Sequence, residues 1–310
     1  MTGSPFTYPR RVAFGECDPA RIFFAPRAFD YAVEAVEAWF ESALGVSWAE
    51  LQEREGLEAR FLLADCEYAK SVVAGQVVDV AIGAAEAAGD RLLLGAVGAV
   101  AGEPSFRARF EMGLVDRARA APVEIPARYR ERVESYQAAC LPPARREDPA
   151  APPEPAPEGP PLPPPGAAPF RLSRRVTSGD CSIAGSAYAP RVAAWAVEAA
   201  GEWYQATLGI SWLEQCRRGR GAPFVRIRCQ YLRPMAPGQI VEVEVRIPRL
   251  GRASIGYQVL GLDAGGAPCF EAQMTACYVS DEGGRAQAMP FPEELRRRIV
   301  AYQAAARGAP

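Results

Sequence analysis

The feature that most constrains this chain is an internal duplication split by a segment unable to fold. Shifting the sequence by 164 residues brings Arg10-Arg11-Val12 onto Arg174-Arg175-Val176, Cys17 onto Cys181, Pro26-Arg27 onto Pro190-Arg191 and Glu34 onto Glu198. The register continues without a gap through Trp39 and Trp203, Leu44-Gly45 and Leu208-Gly209, and Ser47-Trp48 and Ser211-Trp212. After a one-residue deletion, Cys66-x-Tyr68 meets Cys229-x-Tyr231 and Gly75-Gln76 meets Gly238-Gln239. Between the copies, residues 142–169 contain 13 prolines in 28 positions and no large aromatic, a composition that favours an extended tether over a core. The expected organisation is two homologous units, 1–141 and 170–310, joined by the 142–169 linker. A solenoid would need more and shorter repeats.

Each copy has the same order of elements. A short apolar stretch, Arg11 to Phe14 or Arg175 to Ser178, precedes a turn. Pro26 or Pro190 then sits where the first turn of a helix accepts proline. Residues 28–44 place Phe29, Val33, Val36, Trp39, Phe40 and Leu44 at three- and four-residue spacings, with Gly45 as the stop; residues 192–208 and Gly209 repeat this. Those spacings assign Trp39, Phe40, Trp203 and Tyr204 to packing. Strand-like runs follow over 59–68, 76–84, 91–100 and 106–115, matched by 224–231, 239–247, 253–262 and 270–279. One long helix followed by four hairpin-linked strands gives an α+β unit, an antiparallel sheet packed on a buried helix.

Composition narrows the chemistry. The chain has no histidine, which removes serine or cysteine catalysis by a histidine base and the commonest metal ligand. With 35 basic and 37 acidic residues there is no net basic field for nucleic acid or anionic membrane. No apolar run is long enough to span a bilayer, and the first residues lack a signal-peptide pattern. Eight cysteines without a CxxC pair read as reduced thiols of a cytoplasmic protein, with neither metal nor disulfide framework.

The segment Phe14-Gly15-Glu16-Cys17-Asp18-Pro19-Ala20-Arg21-Ile22-Phe23-Phe24-Ala25-Pro26-Arg27 resembles the F-G-D-C-D-P-A-G-I-V-F-Y-P-R motif of the 4-hydroxybenzoyl-CoA thioesterase-like family of hot-dog acyl-CoA thioesterases. Gly75-Gln76-Val77 is similar to that family's G-D-x-V. The resemblance implies two tandem hot-dog domains paired within the chain as a pseudo-dimer, and hydrolysis of a small-molecule acyl-CoA or aryl-CoA without any cofactor beyond the CoA of the substrate. It leaves open further self-association. It implies that Asp18 is the catalytic carboxylate, as nucleophile or general base, and that the backbone N–H of Ala25 polarises the thioester carbonyl. By residue type alone, an aspartate before proline ahead of a helix is an ordinary turn former.

Two positions depart from the motif. Arg21 stands where glycine is usual, so it either strains the backbone or offers a cation to an acidic acyl group. Ser182 replaces the acid in the second copy, and without histidine a lone serine is a poor nucleophile, so that site is expected to be dead. Asp180 aligns with Glu16 and does not substitute for the missing acid. Glu34 is a further catalytic candidate, since a helix carboxylate serves a related thioesterase group; Glu198 is its counterpart, and bonding to loop amides is the plainer role. Arg249 and Arg252 fall in the hairpin where related enzymes carry cations for CoA phosphates, whereas the first copy has Glu86 and Gly89 there with Arg91 nearby. Lys70, the only lysine, and its counterpart Arg233 are strand-end cations and further CoA-contact candidates. The competing functions are a non-catalytic acyl-CoA-binding or regulatory protein and an acyl-carrier-protein thioesterase.

Overall fold

A computed structural model describes residues 5–140, 169–281 and 286–305. The tether expected over 142–169 lies outside the described residues, save residue 169 at its end. The first half runs β1 (Phe6–Arg11), α1 (Arg27–Trp39), α2 (Trp48–Glu55), β2 (Leu57–Tyr68), β3 (Val77–Ala88), β4 (Arg91–Val100), β5 (Glu103–Asp116), β6 (Ala121–Val123) and α3 (Ala127–Cys140). The second half runs β7 (Phe170–Arg175), α4 (Ala189–Leu208), α5 (Trp212–Arg217), β8 (Arg220–Gly221), β9 (Phe224–Tyr231), β10 (Ile240–Leu250), β11 (Ser254–Leu262), β12 (Pro268–Cys277), β13 (Val279–Ser280), β14 (Gln287–Ala288) and α6 (Glu293–Ala305).

The main strands form one continuous antiparallel sheet in the order β1-β3-β4-β5-β2-β9-β12-β11-β10-β7. The order is a palindrome of the two copies, so the halves are related by an approximate twofold at the β2–β9 seam. There Leu63 faces Gln230, Ala64 faces Cys229 and Cys66 faces Ile227. This is the α+β tandem hot-dog arrangement that the resemblance implied.

Each half wraps its sheet around one helix. Along α1, Ala28, Phe29, Ala32, Val33, Ala35, Val36 and Trp39 are all buried, and the small alanines let the sheet approach closely. The helix continues from Phe40 to Leu44 as a π-helical turn, whereas α4 stays α-helical to Leu208. Gly45 and Gly209, both at φ +67°, end the two runs in the left-handed conformation that glycine adopts without a Cβ clash. The aromatic residues assigned to packing are all buried. Trp39 meets Tyr136 edge-on and Trp203 meets Tyr302 in the same way.

Two details differ from the sequence expectations. The first strand of each copy lies earlier, at Phe6–Arg11 and Phe170–Arg175; residues 14–16 and 178–180 are single 3-10 turns. Pro9 is accommodated because β1 is an edge strand paired only with β3. Helices α3 and α6 have weak amphipathic patterns but carry Tyr136 and Tyr302. The Tyr136 hydroxyl donates to Ile82 O and accepts from Phe6 N (2.9 Å), and Tyr302 does the same with Val245 O and Phe170 N. Each helix thus buttons an edge strand to its neighbour.

The seam also carries a charge pair. Arg226 on β9 holds Asp65 on β2 through Nε–Oδ1 (2.9 Å) and Nη2–Oδ2 (2.6 Å), and the Asp65 side chain is only 8% exposed. Arg226→Ala would leave that carboxylate buried and unpaired. It should cost about 3 kcal/mol in denaturant unfolding. Combining it with Asp65→Leu should recover most of the loss, and a single-variant cost below about 1 kcal/mol would mark the pair as an ordinary surface bridge.

Candidate active site

The loop between β1 and α1 holds Asp18 in a tight turn. Asp18 N donates to Ile22 O (2.9 Å), Arg21 N to Asp18 O (2.8 Å), and Asp18 Oδ1 accepts from Ala20 N (2.8 Å). Arg21 closes this turn at φ +63°, where Gly185 of the second copy sits at +83°. The arginine therefore bears the left-handed backbone cost that glycine avoids, and it is exposed to solvent.

The second oxygen of Asp18 faces the other half of the molecule. Trp212 Nε1, at the start of α5, donates to Asp18 Oδ2 at 3.2 Å. The carboxylate is thus shared by both copies, turned by its own loop and capped by an indole 194 residues away. Burial holds the Asp18 carboxyl above the ordinary aspartate range, while the Ala20 amide, the Trp212 indole and the Ile22 amide pull it back. Cys216, one turn along α5, has its thiol pushed up to about 11 by burial and then by the Asp18 charge.

Ala25 lies just ahead of α1. Its carbonyl accepts from the hydroxyl of Tyr68, the tyrosine of the Cys-x-Tyr repeat, at 2.7 Å; Tyr231 grips Ala189 O in the same way at 3.1 Å. Among the described residues the Ala25 N–H donates to no acceptor. A free, oriented amide thus sits at the positive end of the buried helix.

The other candidates are more scattered. Glu34 does not bond loop amides; it pairs with Arg10, which also bridges to Glu16 (3.0 Å) and lies over the Tyr31 ring. The loop amide of Ala13 goes instead to Glu16 (2.8 Å), which also accepts from the Tyr31 hydroxyl (2.7 Å). Glu198 is paired with Arg174 at 2.5 Å. Lys70 is exposed just beyond β2, in the segment whose Val72 O accepts from Phe23 N, and so lies at the same end as the Asp18 loop. Arg233 occupies the matching place beyond β9 and pairs with Asp263 at 3.4 Å.

Arg249 and Arg252 are exposed on the β10–β11 hairpin, and among the described residues neither guanidinium has an acceptor. That hairpin is tied to the acid by a short relay. Ala253 O accepts from Tyr278 N (2.7 Å), Tyr278 OH donates to Gln215 on α5, and α5 begins with Trp212. In the first copy, where Glu86 and Gly89 stand at the matching positions, nearby Arg91 is paired with Asp90 and Glu111, both at 3.4 Å.

The pseudo-symmetric site lacks its acid. Ser182 Oγ accepts from Ala184 N (3.2 Å), keeping the turn and nothing more. Trp48, the counterpart of Trp212, has a buried Nε1 with no acceptor. The sequence reading missed Trp212 and Trp48 as site residues; the only trace was the Ser-Trp pair at matching positions of both copies.

Residues 176–299 match the family described as the thioesterase-like superfamily. Among solved structures, a protein of Lactobacillus plantarum described as an oleoyl thioesterase superposes with TM-score 0.68 at 15% identity, covering 88% of this chain and 96% of that one. The 12:0-ACP thioesterase of Umbellularia californica gives 0.63 at 12% identity over 93% and 99%, and an acyl-ACP thioesterase of Bacteroides thetaiotaomicron gives 0.60 at 11% over 88% and 96%. The chain has the hot-dog thioesterase fold. No curated protein matches it. Among the described residues, no helix is long and apolar enough to cross a membrane, and no cluster of three or more His, Cys, Asp or Glu side chains could hold a metal ion.

The raised Asp18 value has a measurable consequence. Its contribution to stability is fully present below the ordinary aspartate pKa, about 3.9, and is lost as pH rises through the higher folded-state value. Asp18→Asn should therefore melt at a higher temperature than the parent at neutral pH. The gap should close as pH falls through that window, and a gap independent of pH would contradict the burial of the charge.

Proposed function

We propose that this hot-dog protein hydrolyses acyl-CoA thioesters at a single composite site centred on Asp18. The observation that carries the reading is the Asp18 carboxylate held between the Ala20 amide and Trp212 of the opposite copy, in a turn that leads directly to the unpaired Ala25 N–H. As a carboxylate, Asp18 either attacks the thioester carbon, giving a mixed anhydride and releasing the thiolate, or takes the proton of the attacking water. Both routes develop negative charge on the carbonyl oxygen, which the Ala25 amide at the helix start is suited to accept. Asp18, Trp212, Arg249 and Arg252 supply acid, positioning donor and phosphate cations from two different copies, and the site opposite has Ser182 in place of its acid.

The relatives described as acyl-ACP thioesterases make a carrier-bound substrate the second reading, since carrier and CoA share the phosphopantetheine arm. Arg249 and Arg252, neither with an acidic partner among the described residues, favour CoA, whose nucleotide adds phosphates that the arm alone lacks. Asp18→Asn should lower kcat by at least ~100-fold toward acyl-CoA with the fold intact by circular dichroism. Arg249→Ala combined with Arg252→Ala should raise KM for acyl-CoA with kcat nearly unchanged, and should leave acyl-pantetheine kinetics alone. Equal rates for Asp18→Asn and the parent would discard the catalytic assignment.

The acid limb of kcat/KM should lie above the ordinary aspartate range. Trp212→Phe removes a donor that favours the charged form, so it should move that limb to still higher pH. A limb that stays in place would detach the indole from the titration.

A further inference from the structure

Helix α5, which presents Trp212 to Asp18, has six residues, too few to hold a helix on backbone bonds alone. Gln215 is its only buried side chain. Gln215 Nε2 donates to the Tyr204 hydroxyl on α4 (3.0 Å), and Gln215 Oε1 accepts from the Tyr278 hydroxyl (3.4 Å). Both tyrosines are buried, and Tyr278 stacks on Phe291 with ring centroids 4.9 Å apart. An amide held at both ends fixes the rotation of α5 as well as its depth, because hydrogen bonds are directional.

The first copy has an apolar version of this anchor. The repeat maps Tyr204 and Gln215 onto Phe40 and Leu51. It maps Tyr278 onto Leu114, since Phe270 faces Tyr231 in the register as Phe106 faces Tyr68. Phe40, Leu51 and Leu114 line a small apolar cavity, where they make no directional bond to one another. Leu51 is the only buried side chain of α2, and Trp48 at its start lies edge-on against Phe40 and Phe61 with its Nε1 lacking an acceptor. The polar anchor thus stands behind the indole that meets an acid, and the apolar one behind the indole that does not.

A second difference lies under the ring. Gly221 on β8 faces Val279, as Glu58 faces Val115 in the first copy. A Cβ built on Gly221 would stand 2.8 Å from Cη2 of Trp212 and 3.2 Å from Cζ3, and its three nearest atoms all belong to that ring. The φ of Gly221 is outside the left-handed region, so what glycine supplies here is room for the indole. The benzene edge of Trp212 rests on Gly221 while its nitrogen edge reaches Asp18. We propose that Gln215 and Gly221 are positioning residues, forming a seat built only in the second copy that holds the Trp212 indole against Asp18. The inference rests on the reading of Asp18 as the catalytic acid and names what keeps its capping donor in place.

Indole NMR tests the seat without any turnover. In the full chain carrying nitrogen-labelled tryptophan, the Trp212 Nε1–H signal is assigned by its absence from Trp212→Phe. It should shift with pH as Asp18 titrates and stop doing so in Asp18→Asn. The Cys216 thiol nearby, pushed up to about 11, is silent in that range. Gly221→Ala, whose added methyl is relieved by moving the ring alone, should lose most of the response. So should Tyr204→Phe/Gln215→Leu, which installs the first copy's residues and strands no hydroxyl at position 204. Both variants should also move the acid limb of kcat/KM to higher pH by about half a unit or more, and add nothing further in the Trp212→Phe background. A Trp212 signal that still follows Asp18 in either variant overturns the seat, as does a parent signal that never responds. If the signals behave as expected but the parent hydrolyses no acyl thioester, the seat stands and the catalytic reading of Asp18 falls.

Discussion

The antiparallel pairing of β2 with β9 is the contact on which everything else depends. It converts two half-sheets with exposed edges into one continuous sheet, which an isolated copy could achieve only by recruiting a partner. It also fixes α1 against α4 and delivers Trp212 to Asp18. The Asp65–Arg226 pair guards this seam asymmetrically. The repeat places Arg228 opposite Asp65 in the register and Arg226 opposite Glu67, so the charges on the two strands are complementary rather than self-matching. Two copies carrying β2 would instead bring acid toward acid. Fusion has let the two faces of the seam specialise, which a symmetric dimer cannot do.

That specialisation extends to the sites. In one half the turn holds an aspartate bonded to the indole of Trp212, and on the β10–β11 hairpin Arg249 and Arg252 have no acidic partner among the described residues. In the other, the turn holds a serine, the counterpart indole of Trp48 is buried without an acceptor, and Arg91 is paired with Asp90 and Glu111. Each loss is tolerable because the scaffold survives it. Ser182 still accepts an amide within its turn, and Trp48 still packs edge-on against Phe40 and Phe61. Arg21 is the reverse case, an arginine held at φ +63° in the Asp18 turn where the second copy has Gly185 at +83°.

The fold was largely legible in the residues. Helical spacing located both buried helices and their glycine stops, and eight strand-like runs fell on β2 to β5 and β9 to β12. The first strand of each copy escaped because Phe6–Arg11 and Phe170–Arg175 are edge strands carrying polar residues and, in β1, a proline, so their pattern is weak. Helices α3 and α6 escaped because each buries only one or two side chains and is held largely by polar bonds from Arg, Gln and Tyr side chains, which leave no periodic apolar signal. For the candidate site, the positions of Asp18, Ala25 and Ser182 in their matching turns were readable from the motif, whereas the ion pair of Glu34 was not. Its partner, Arg10, comes from a strand whose position the pattern had misplaced.

The sequence by itself determined that there are two copies, that one has an acid where the other has a serine, and that no histidine can share the work. Those are properties of residue type and spacing along a single chain. Only the tertiary structure decided that Trp212 caps Asp18 and that Glu37 reaches Tyr188. Each of these relations joins one copy to the other across the pseudo-twofold, at separations of more than 150 residues for the two hydrogen bonds. Local periodicity carries no information about them, because they exist only once the sheet has closed at its seam and set the two helices side by side.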